Sequence, residues 1–141
     1  MKWIPFAFAA MASVAAADIF IKLAAGKLSN SVAILIYGSC TFLFGLGWVL
    51  WQRAAGVPQF AQTQGILAAI GVGIAFSAAT LTIYLTFGAG APISLASPTI
   101  RLGALLLASL VGLTLFREPL TWQYVIGMIL AISGIYLIVT R

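Results

Sequence analysis

A chain of 141 residues that is 63% hydrophobic and only 6% charged lacks the polar side chains a water-soluble fold needs, since soluble domains carry about 25% charged residues. Seven Lys and Arg against two acids give a net charge of +5, but most of them stand at the ends of apolar runs, as membrane anchors and topology signals do, and form no footprint for nucleic acid. With no His and a single cysteine, Cys40, inside an apolar run, neither an intrachain disulfide nor a metal cluster is possible, and no cofactor is expected.

The composition is that of an integral membrane protein, an all-α bundle of transmembrane helices in a single domain over residues 1–141. A bilayer core needs about 20 mainly apolar residues per helix. Five runs qualify. The first covers residues 3–25. Its opening, "MKWIPFAFAAMASVAAAD", also fits a signal peptide, with Ala15, Ala16 and Ala17 as a cleavage site. The apolar run resumes at once in "IFIKLAA", which favours a full span. "GKLSNS" then breaks the chain before a second span over residues 31–51. A polar segment with Gly56 and Pro58 leads to a third span, 64–87. "GAGAP" sets Pro92 near the start of a fourth, 91–116, where a missing N–H costs little. "REPLTW" precedes the fifth, 122–139. Trp3, Trp48, Trp51 and Trp122 lie near span ends, where indole rings prefer the interface.

Five spans place the termini on opposite sides of the membrane. The N-terminal side, here side A, receives Lys2, Arg53 and Arg117. Side B receives Lys27 and Arg141, with Lys22 if it snorkels outward. Orientation is normally set by an excess of Lys and Arg on the cytoplasmic side, and almost none exists here. One explanation is a weakly encoded single orientation. The other is insertion both ways, which would let two copies form an antiparallel homodimer about an axis in the membrane plane.

Small residues recur at helical spacing: Gly65, Ala69, Gly73 and Ser77 on the third span, Ala104, Ala108 and Gly112 on the fourth, Gly127, Ala131 and Gly134 on the fifth. Such stripes let helix backbones approach closely in lipid, and they predict packing faces. Polar side chains fall at similar depths from side B. At 1.5 Å per residue, Asp18, Tyr37, Thr80, Ser97 and Ser133 lie about 9–10 Å inside and Arg101 about 15 Å. Asp18 is the only acid within a span, and Lys22 follows it one turn later. Three readings of Arg101 compete: a static ion pair with Asp18, snorkelling to side B, or a place on a water-filled substrate path. Pro98 removes a backbone donor and disfavours contact with the Ser94 carbonyl, so a local break flanked by Ser94, Ser97 and Thr99 competes with a simple packing kink. Glu118, at the start of the fifth helix, is expected to favour that helix's dipole, with Thr121 helping to cap.

The last third of the chain resembles the closing half of an EamA-type domain of the drug/metabolite transporter superfamily. The features that carry the likeness are the proline-bearing fourth helix, the turn "GE.LT..Q..G" and a final helix with "G......G". Here these read as Pro98, then Arg117-Glu118-Pro119-Leu120-Thr121 with Gln123 and Gly127, then Gly134. Arg117 stands where the usual pattern has glycine. Lys22 in "IFIKL" also matches a basic residue commonly found in the first helix. The resemblance implies a single five-helix unit, where typical members join two in inverted orientation. It further implies a secondary transporter of a small metabolite or drug-like molecule, in a bacterial inner (plasma) membrane. In related small multidrug resistance proteins an acid of the first helix couples protons. A carboxylate held by two cations would be a poor proton carrier, so that role does not pass simply to Asp18.

The substrate path is therefore expected at Arg101, Asp18, Lys22, Tyr37, Thr80, Ser97 and Pro98, in an antiparallel homodimer working by alternating access. The alternative is a non-transporting subunit, or the accessory half of a heteromeric flippase or transporter. An enzyme is not expected, because the spans hold no paired carboxylates and no nucleophile–base set.

Overall fold

The structure, a computed structural model, describes residues 3–140. Among these residues it is all-helical: α1 (Ile4–Ala24), α2 (Asn30–Ala54), α3 (Thr63–Gly88), α4 (Ile93–Thr114) and α5 (Trp122–Val139). All five are long and apolar enough to cross a membrane. Lys2 and Arg141, two of the charges in the side-to-side balance, lie outside the described residues.

Backbone chemistry accounts for where the helices depart from the apolar runs. α2 continues past Trp51 through Gln52, Arg53 and Ala54. These residues are good helix formers, and Arg53 suits the negative end of the helix. α1 runs unbroken through residues 15–17, since alanine is the strongest helix former of all. α4 stops two residues short of Phe116. Its final turn widens: the Leu115 and Phe116 amides both donate to the Val111 carbonyl, at 2.8 and 3.4 Å, and the Glu118 amide donates to the Gly112 carbonyl at 3.2 Å. Arg117 between them is left-handed, with φ of 50°. Pro119 reinforces the stop by disfavouring the helical conformation at Glu118. Thr121 then caps α5, its hydroxyl accepting from the Tyr124 amide at 3.3 Å.

The chain divides into two compact units, Met1–Ala89 and Gly90–Arg141. In the first, α3 packs against both α1 and α2. The α2–α3 turn is fastened by Gly56 at a φ of 73°, by the Val57 amide donating to the Gln52 carbonyl at 3.0 Å, and by the Gln59 side-chain amide donating to the Gln52 side chain at 3.0 Å. In the second unit, α4 and α5 pack together.

Burial inverts the rule for soluble proteins. The buried residues include Asp18, Thr80, Ala33 and Ala96, while Phe6, Phe44, Leu115 and Trp122 point outward. An apolar exterior over a sparse, partly polar interior is what a lipid solvent requires.

The left-handed backbone at Arg117 disfavours any side chain with a Cβ, by about 1 kcal/mol or more. Arg117→Gly should raise the thermal midpoint of the purified protein in detergent, and Arg117→Val should lower it, β-branched residues being the least tolerant of this region. A lower midpoint for the glycine variant would show that the arginine side chain stabilises the turn by more than the strain.

Candidate functional site

In the first unit, Asp18 lies six residues before the end of α1 and is only 3% exposed. Lys22 stands one turn later, in the last turn of α1, and its Nζ sits 5.4 Å from the centroid of the Phe87 ring. Phe87 is the penultimate residue of α3 and is buried. The contact therefore brings the C-terminal ends of α1 and α3 together. An ammonium there meets the negative ends of two helix dipoles and the electron-rich face of a ring, three interactions of one sign.

Thr80 is also buried, but its hydroxyl donates to the Phe76 carbonyl of its own helix at 2.8 Å. Most of the other span hydroxyls behave the same way. Ser133 bonds Ile129 at 2.8 Å, Ser13 bonds Ala9 at 2.9 Å and Thr114 bonds Leu110 at 2.7 Å. A hydroxyl in lipid takes the nearest acceptor, which is the carbonyl one turn back. Tyr37 is half-buried on α2, and its carbonyl accepts from the Thr41 hydroxyl at 2.9 Å.

In the second unit, α4 is continuous through Pro98, so there is no break at membrane depth. Thr99 donates its hydroxyl to the Leu95 carbonyl at 2.7 Å, which helps satisfy the backbone beside the proline. Ser97 and Pro98 are half-buried, and Arg101 is exposed on the surface of the chain. Asp18, Ser97 and Arg101 each have an interaction partner, and Lys22 has one besides the Phe87 ring. The expected set is thus divided: Asp18, Lys22, Tyr37 and Thr80 belong to one compact unit, Ser97, Pro98 and Arg101 to the other.

Most of the small-residue stripes face outward in the single chain. Gly65, Ala69, Gly73 and Ser77 are exposed, as are Ala104, Ala108 and Gly127, while Gly134 is half-buried. A Cβ added at Gly65, Gly73, Gly127 or Gly134 would meet nothing within 4 Å. Small residues permit close approach but do not compel it. Gly112 is the exception, for a different reason: a Cβ there would lie 2.9 Å from Glu118 Oε2. The Glu118 carboxylate lies against α4 at this glycine. The sequence reading missed Phe87 and Ile83, although Thr80, Ile83 and Phe87 mark one helical face by their spacing of three and then four.

Among the described residues no group of three or more metal-ligating side chains forms. Comparisons with protein-family models, with curated proteins and with solved structures found no match for this chain.

Two outcomes follow from these contacts. Thr80→Val removes only a bond within α3 and should destabilise by less than about 1 kcal/mol; a larger loss in thermal stability would mean that the hydroxyl holds a second helix. Gly112→Ala should be tolerated alone, because only the flexible end of Glu118 must move and alanine favours a helix by about 1 kcal/mol. Gly112→Leu should unseat the turn and lower the yield of monodisperse protein.

Proposed function

We propose that the chain is one half of a secondary transporter for a small metabolite or drug-like molecule, built as an antiparallel homodimer that works by alternating access. The observation that carries the reading is Asp18. A carboxylate with 3% exposure sits inside a unit most of whose bulky apolar side chains face outward, on a helix long enough to cross a membrane. An ionisable group at such a place is expensive to keep and marks a path for polar cargo or charge. Arg101, on α4, supplies the second intramembrane charge and is suited to attract an anionic group of the substrate. In the first unit, Lys22 would do the same, its charge modulated by Asp18 one turn earlier on α1.

The turn after α4 adds support from another direction. Arg117 adopts a backbone conformation that suits glycine, and glycine is what the EamA-type pattern carries at that position. The balanced Lys and Arg tally supports the antiparallel arrangement, since an inverted second copy restores the two-fold symmetry that one odd-numbered unit lacks. The exposed stripe on α3 and the exposed Ala104 and Ala108 on α4 leave surface for a second chain. They would serve the accessory-subunit reading equally, with another protein in place of the second copy.

Orientation decides between these. With Cys40 changed to Ser and a cysteine added after Arg141, intact cells are treated with a membrane-impermeant thiol reagent. Labelling of roughly half the chains is expected, from insertion both ways. Labelling of all or none fixes one orientation and removes the antiparallel homodimer, leaving an inverted partner of different sequence as the requirement.

A further inference from the structure

The buried residues of the first unit all lie at one end. Ala33 is in the first turn of α2, Thr80, Ile83 and Phe87 are in the last third of α3, and Asp18 is in the last third of α1. Along the rest of these helices, residues 4–17, 34–54 and 63–79, none is buried. Burial in this unit is therefore confined to the side-B end of its three helices. At the outermost level of that end, above Asp18, the Lys22 ammonium lies on the Phe87 ring.

We propose that Lys22 and Phe87 form a clasp that keeps the side-B end of this unit shut, and that admitting water or solute to Asp18 from that side requires the ammonium to leave the ring. Phe87 is then a positioning residue that acts through Lys22. The ring is fixed by burial, whereas the lysine stem is flexible and only half-buried. The contact joins α1 to α3 at their tips, where a small rotation of either helix parts them with the greatest displacement. Its strength suits a reversible latch, because a partly desolvated cation–ring contact shifts an opening equilibrium by roughly threefold to thirtyfold. The role of the clasp as an access gate rests on the transporter reading; the clasp itself does not.

The test is accessibility in the purified full chain. In a Cys40→Ser background, Ala33→Cys places a thiol at a buried position of the same end, in the first turn of α2, and Gln59→Cys places a control in the exposed α2–α3 turn. Labelling by a water-soluble maleimide is expected to be slow at position 33 and fast at position 59. Phe87→Leu, which keeps an apolar side chain but removes the ring face, should raise the rate at position 33 at least about threefold and leave position 59 unchanged. Phe87→Tyr should keep the slow rate. An unchanged rate at position 33 in Phe87→Leu overturns the clasp, and so does an equal rise at both positions, which is general loosening. If Phe87→Leu does not yield monodisperse protein, Lys22→Met leaves the ring in place and must give the same selective rise. Labelling requires no substrate and no second orientation, so a fixed membrane orientation could defeat the transporter reading while the clasp stands.

Discussion

Inside a bilayer there is no water to accept or donate a hydrogen bond, and every polar group must find its partner in protein. The helices answer this for the backbone, and the hydroxyl side chains answer it by turning back on the same helices. Thr80, Thr86, Thr99, Ser133 and Thr140 all donate to a carbonyl four residues earlier, at 2.7–2.8 Å. Each helix thereby becomes nearly self-sufficient. The consequence is that few polar groups remain to bind one helix to the next, and the cohesion of each unit falls to a small number of packed side chains and charges.

In the first unit that cohesion gathers at one end. Alanine at position 33 and the face made by Thr80, Ile83 and Phe87 let α3 approach its neighbours, and the cation at Lys22 links the ends of α1 and α3 through the Phe87 ring. In the second unit the equivalent economy appears at the α4–α5 turn. There a glycine at 112 leaves room for a carboxylate, and an arginine accepts a strained backbone so that the chain can reverse in a few residues. Both devices sit at helix ends, where unsatisfied carbonyls and the dipole concentrate the available electrostatics.

The five helices were legible in the sequence because hydropathy over about 20 residues is a direct measure of transfer into lipid. Their ends were less so: Gln52 to Ala54 extend α2 by propensity, which an apolar count does not see, and α4 stops early because of a hydrogen-bond pattern around Arg117. Of the site, Asp18 and Lys22 stood out as charges in apolar runs, and the structure buries the first and seats the second on a ring. Phe87 did not stand out, because an aromatic in a span is ordinarily a lipid-facing residue, and only its spacing from Thr80 and Ile83 distinguishes it. The glycine and alanine stripes were legible only as faces, since spacing reveals which face could be approached and not what approaches it. Thr80 was legible in a similarly partial way: depth placed it correctly, but depth carries no information about where a hydroxyl points.

The helices differ in length by nearly half. α3 has 26 residues and α5 has 18, about 39 Å and 27 Å respectively at 1.5 Å per residue. Against a hydrocarbon core of about 30 Å, α5 is slightly short, while α3 fits within it only by leaning, by up to about 40°. Lipid thickness therefore acts on the two units in opposite senses. A thicker bilayer lets α3 stand upright and stretches the coverage of α5, and a thinner one relieves α5 and lays α3 over. The protein is, in this respect, a gauge of the membrane that holds it, with the angle of its longest helix as the pointer.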